Sequence, residues 1–98
     1  MSQDRITKLA RGRECQIRLE GVCNFNAETT VLAHYRLSGL NGMGMKPPSL
    51  VGAWACNACH DAVDRRSHMD LDRDYVRLAH LEGMARTIAI LSNEGRIK

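Results

Sequence analysis

Four cysteines in a chain of 98 residues, two of them spaced as Cys56-Asn57-Ala58-Cys59, constrain this fold more than any other feature of the sequence. The CxxC spacing brings two thiols together on one tight turn. Cys15 and Cys23, with seven residues between them, make a looser pair. Zinc takes four ligands in a tetrahedron, and two cysteine pairs from separate turns supply them. Closing that site ties residues 15–23 to 56–59 and encloses the segment around His34. A set of three cysteines and His60 is the nearest alternative, and free cysteines the next.

Compartment separates metal ligation from disulfide bonding. The first ten residues, MSQDRITKLA, lack the apolar stretch of a secretory signal. No apolar run approaches the roughly 20 residues of a membrane span. A cytoplasmic location with no membrane association is expected, and there thiols stay reduced and available to a metal. Cys56-x-x-Cys59-His60 is also a c-type haem attachment string. Haem attachment belongs to compartments outside the cytoplasm, so zinc is preferred.

A metal staple suits the composition. Hydrophobic residues make up 44% of the chain but aromatic residues only 4%, so the core is small and aliphatic. Chains of this size bury only about two-thirds of their unfolded surface. The net charge of +3 is unevenly distributed. Arg5, Lys8, Arg11, Arg13 and Arg18 face only Asp4 and Glu14 in residues 1–19, whereas the rest of the chain carries nine charges of each sign. The excess at the N-terminal end suits contact with phosphates.

Coarse patterning predicts an α+β domain. Residues 4–13 suit a short basic helix, and residues 15–19 alternate at period two like a strand. Residues 29–35 are β-branched and strand-like, with Val31, Ala33 and Tyr35 on one face and Leu32, His34 and Arg36 on the other. Residues 38–48, SGLNGMGMKPP, read as a loop carrying Lys46. An extended segment over 49–55 leads into the CxxC, and residues 57–66 suit a short helix. Asp70 or Asp72 caps a second helix running to about Leu91, with Tyr75, Leu78, Ala85 and Ile88 along its apolar stripe. His80 then falls with Arg73 and Arg77 on its solvent face. Trp54, two residues before Cys56, is expected in the core near the zinc.

On the first of these helices His60 and Asp64 are four apart and share a face, with His68 a further four on if the helix extends that far. One imidazole and one carboxylate make a half-open site for a divalent metal, its other positions left to water or phosphate.

The order strand with His34, loop, extended segment, CxxC, His60, helix resembles the HNH nucleases of the ββα-metal, or His-Me finger, class. VLAHYR and CNACHDAVD stand where that class has its "DH" and "LCxxCH" elements. More closely, the chain resembles the small nuclease family of lambda-like prophages, from RGRECQI through GVCN, LAHYRL, GMGMKPPSL and ACNACHDAVDRRSH to LEGMART. The resemblance implies one HNH-like domain over 1–98: a basic segment 1–14, a zinc-stapled ββα core 15–68 and a packing helix 70–92. It implies a DNA endonuclease with His34 as general base. His60, Asp64 and, as a further candidate, His68 would hold a catalytic Mg²⁺, Mn²⁺ or Zn²⁺. Arg36, Lys46, Arg65 and Arg66 are the expected phosphate contacts, extended by Arg11 and Arg13. Two positions depart from the class: Ala33 stands where many members have Asp or His, and Val51 where Asn is usual. The competing expectation is a non-catalytic zinc-binding module that binds DNA or a phage or host recombination protein.

Overall fold

In the computed structural model of the chain, residues 8–35 and 50–96 are described. Arg36, Lys46, the 38–48 loop and the first seven residues lie outside them.

The described elements are a 3-10 turn, Ala27–Thr29, then strands β1, Val31–His34, and β2, Gly52–Ala55. Helices α1, Asn57–Val63, and α2, Arg73–Asn93, complete this small α+β fold. Each element starts where local chemistry dictates. The Asn26 side chain accepts from Glu28 N–H and caps the 3-10 turn. The Cys56 sulfur accepts from Cys59 N–H at 3.4 Å at the start of α1. Asp72, rather than Asp70, caps α2, its carboxylate accepting from Tyr75 N–H at 3.0 Å.

β1 and β2 pair antiparallel, with Val31 opposite Ala55, Leu32 opposite Trp54, Ala33 opposite Ala53 and His34 opposite Gly52. Alternation then divides the core in two. Ala33, Ala53 and Ala55 face the cysteines, Ile17, Leu19 and Ala62. Leu32 and Trp54 face the opposite way, onto Ala10 and Leu91. Trp54 is therefore buried as expected, but across the hairpin from the cysteines rather than beside them.

Both backbone groups of Trp54 find partners outside the hairpin. Its N–H donates to Thr87 Oγ1 at 3.0 Å and its carbonyl accepts from Gln16 N–H at 2.7 Å. This satisfies backbone that would otherwise be buried unpaired. It also places the 15–19 segment beside β2 without making it a strand. Arg18 adopts a left-handed φ of 55°, and its N–H turns back to the Cys15 sulfur at 3.4 Å. The period-two pattern survives as the inward set Cys15, Ile17 and Leu19, but Gln16 is buried with them. Of the helix expected over 4–13, the described part consists of turns beyond Lys8.

α2 docks on a different face from the one its apolar residues suggest. The buried stripe is Val76, His80, Gly83, Thr87 and Leu91, while Tyr75, Leu78 and Leu81 remain 43%, 55% and 42% exposed. Small and hydrogen-bonding residues decide the docking. A Cβ at Gly83 would lie 2.9 Å from Ile17 Cγ1 and 3.0 Å from its Cα, so only glycine permits the approach. Thr87 reaches Trp54 across the same contact. His80 is accordingly 6% exposed, not on the solvent face.

Candidate functional site

The four cysteine sulfurs lie within 4.8 Å of one another, three of the residues being buried and Cys23 partly so. A regular tetrahedron with metal–sulfur distances of about 2.3 Å has edges of about 3.8 Å. The Cys56–Cys23 sulfur separation is 3.9 Å. The polypeptide turns around the sulfurs as metal knuckles do: Arg18 N–H points at Cys15, and Asn24 and Cys59 N–H point at Cys56 at 3.5 and 3.4 Å. Such donors stabilise thiolate charge. Phe25, like Arg18, takes a left-handed φ to complete its turn. The four cysteines could hold a metal ion such as zinc.

The thiols differ in how readily they ionise. Hydrogen bonding from Cys59, aided by Arg18 N–H, lowers the Cys15 thiol to about 4. The reciprocal bond to Cys15 pushes Cys59 up, and burial raises Cys23 to about 11. The Cys59 hydrogen bond thus favours a thiolate on Cys15, while that same bond and burial hold Cys59 and Cys23 protonated. A dication would remove that difference.

One turn beyond the knuckle, His60 Nε2 and Asp64 Oδ2 are 3.3 Å apart, both side chains partly exposed. Arg66 Nη2 lies 3.7 Å from the same Asp64 oxygen and Nη1 3.9 Å from Asp61. α1 stops at Val63, with Asp64 as its cap and Arg65 at a φ of 60°. The helix is therefore shorter than the expected 57–66, and His68 does not continue its face. His68 is exposed, has a φ of 52° and pairs with Ser67 Oγ at 3.0 Å.

His34, at the end of β1, and Asp64 line one cavity of about 150 Å³ together with Tyr35, Val63, Val76, Arg77 and His80. That is room for several waters or one phosphate group. Tyr35, Arg77 and His80 escape sequence reasoning because their placement depends on which face of α2 docks. His80 Nε2 is 2.8 Å from the Ala33 carbonyl, and its ring meets Tyr35 edge to face at a centroid distance of 5.1 Å. Arg77 donates to Tyr35 Oη at 2.9 Å and stacks over the ring at 5.1 Å. α2 thereby grips the residue on each side of His34.

Burial holds the His80 pKa below the ordinary value of about 6.5, against the opposing hydrogen bond to Ala33 and the charge of Asp64. Neutral His80 donates Nε2–H to that carbonyl. On unfolding, this group takes up a proton as pH falls through about 6.5, whereas the folded protein resists until lower pH. The unfolded state binds more protons in that window, so stability falls with acidification. The amide of a His80→Gln variant reaches the same carbonyl without titrating. Urea midpoints are expected to fall more steeply below about pH 6.5 in the parent than in the variant; equal slopes would contradict the assignment.

The basic residues expected to touch phosphate separate into groups. Arg13 forms a bidentate ion pair with Glu94, one bond at 2.8 Å, and its guanidinium lies 4.8 Å over the Trp54 ring. Arg13 and Arg96 hold the Glu94 carboxyl at about 2, below the usual carboxylate range. Arg13 is thus engaged in joining the N-terminal segment to the end of α2. Arg11 is exposed. Arg65 donates from Nη2 to the carbonyls of Met69 and Leu71, at 2.8 and 3.2 Å, and lines a second cavity beside the first.

The family model described as "Putative nuclease YbcO" matches residues 4–96. The chain belongs to the YbcO family. Two relatives named "Putative nuclease YbcO", one from Escherichia coli strain K12 and one from Enterobacteria phage 82, are each 58% identical over 93 residues, spanning 95% of this chain and 96% of theirs. A solved structure titled "Structure of a putative bacteriophage protein from Escherichia coli str. K-12 substr. MG1655" matches at 53% identity and a TM-score of 0.79, covering 92% of this chain and 99% of that one. The YbcO relatives thus carry a nuclease name and include a phage protein. No helix among the described residues is long and apolar enough to cross a membrane.

Proposed function

We propose that this YbcO-family chain is a metal-dependent DNA endonuclease of the HNH, ββα-metal type, with a structural zinc at Cys15, Cys23, Cys56 and Cys59. One observation carries the reading: His34 and Asp64 share the wall of a cavity the size of a phosphate group. The sequence of hairpin and helix around His34 and His60 supports it, as does the nuclease name of its relatives.

His60 and Asp64 fit a second, exchangeable divalent ion. Two ligands bound at about 2.1 Å and at right angles stand about 3.0 Å apart, and the observed separation is 3.3 Å. Bound there, such an ion would supply charge stabilisation to the phosphate and its leaving oxygen. His34 does the proton chemistry. Imidazole is the side chain whose ordinary pKa lies nearest neutrality, so its unprotonated ring accepts a proton from water at physiological pH. The water oxygen bonds to phosphorus in line with the departing sugar oxygen, whose bond to phosphorus breaks. His80 and Arg77, through Ala33 and Tyr35, keep His34 at the cavity wall.

The test is cleavage of supercoiled plasmid with Mg²⁺ or Mn²⁺ added to zinc-loaded protein. Nicking that depends on the added ion is expected, with Asp64→Asn reducing it at least about tenfold at limiting metal. One tightly held zinc, no further Mn²⁺ binding and intact plasmid would instead identify a non-catalytic zinc module.

A further inference from the structure

We infer that Arg65, Arg73 and Arg77 form a phosphate-binding groove at the start of α2, which takes the DNA backbone flanking the phosphate held in the His34–Asp64 cavity. This inference rests on the nuclease reading and moves its substrate track from the N-terminal segment to α2.

The three arginines line one cavity of about 550 Å³ with Val63, Val76 and Asp74. Val63, Val76 and Arg77 also line the cavity holding His34 and Asp64, so the two spaces adjoin. No carboxylate among the described residues lies within ion-pair distance of these guanidinium groups. Arg77 bonds to and stacks on the neutral Tyr35 phenol. Arg65 bonds only to backbone carbonyls, and its buried Nη1 has no partner among the described residues. Arg73 is exposed, and no hydrogen bond or ion pair joins its side chain to a described residue. Asp74 lines the groove but pairs with none of them, so three cations face one carboxylate.

Elsewhere the arginines are committed to the fold. Arg13 and Arg96 meet Glu94, and Arg66 meets Asp61 and Asp64. Arg86 serves the Gln16 carbonyl and Glu82, and Arg18 the Cys15 carbonyl and the Gln16 side chain. Arg11 and Arg18 aside, the guanidinium groups that have no carboxylate partner among the described residues gather next to the His34–Asp64 cavity. Planar guanidinium groups bind phosphate oxygens in pairs, and a polyanion that neutralises them releases its counterions. Arg73 and Arg77, four apart on α2, present that charge along one side of the helix. Arg65 approaches from the turn after α1.

Binding is measured by fluorescence anisotropy of labelled duplex DNA with zinc-loaded protein and no Mg²⁺ or Mn²⁺ added, across a salt series. Arg73→Gln, which breaks no hydrogen bond or ion pair among the described residues, is expected to reduce the slope of log affinity against log salt by about 0.9. Arg73→Gln/Arg77→Gln should reduce it by about twice that and weaken low-salt binding about tenfold or more. Circular dichroism checks that both variants fold, and Arg73→Gln alone decides the matter if loss of the Tyr35 contact unfolds the double variant. An unchanged slope in Arg73→Gln, an equal loss in Arg11→Gln, or no DNA binding by the parent overturns the groove. DNA binding that depends on Arg73 in a protein that leaves plasmid intact with every divalent ion retains the groove and sinks the nuclease reading.

Discussion

Stripping the metal from the four-cysteine site, or replacing Cys59 with serine, is expected to unfold the protein. Cys59 is fully buried and its sulfur belongs to a cluster of four within 4.8 Å. That cluster ties the 15–23 turns to α1, and the inner face of the hairpin packs directly on it. Zinc bound by comparable small sites contributes about 10–16 kcal/mol of apparent folding free energy, against about 5–15 kcal/mol for the whole stability of an ordinary domain. With so few aromatic side chains, the remaining aliphatic core does not offset the loss. Thermal melts followed by circular dichroism should lose their cooperative transition with a strong chelator and recover it with added zinc. A transition unmoved by complete metal removal would show that the thiols pack without a metal.

His34→Ala should leave folding and DNA binding intact and reduce plasmid cleavage by a factor of about 100 to 10,000, the usual contribution of a positioned general base. His34 lies at the end of β1 opposite Gly52, so truncation removes little of either core cluster. Cleavage at the parental rate would refute the assignment. A loss of DNA binding in the same variant would instead make His34 a contact residue. Because Ala33 and Tyr35 are held from α2, substitutions there should act on turnover through the placement of His34.

The parts of the molecule legible in the sequence are those whose cause lies within a few residues. The CxxC turn, the β-branched strand before His34, an aspartate cap at 70 or 72 and the facing of His60 and Asp64 all depend on spacing along one element. The docked face of α2 was not legible. Its apolar pattern selects Tyr75, Leu78, Ala85 and Ile88, whereas contact with β2 selects Gly83 for clearance and Thr87 for a hydrogen bond. Nor does alternation over residues 15–19 reveal that Arg18 turns back to a thiol.

By itself, the sequence determined the α+β class, the candidate metal ligands and the pairing of an imidazole with a carboxylate on α1, because ligand chemistry and helical spacing are local. Tertiary structure alone decided that two cysteine pairs meet, that His34 and Asp64 share a cavity, and that His80 is buried beside them. It also joined Arg13 to Glu94 and left Arg73 and Arg77 beside that cavity with their charge uncompensated. The physical reason is that the state of a polar side chain depends on the partner it meets. A carbonyl can bury a histidine and a carboxylate can neutralise an arginine, and both partners here come from distant parts of the chain.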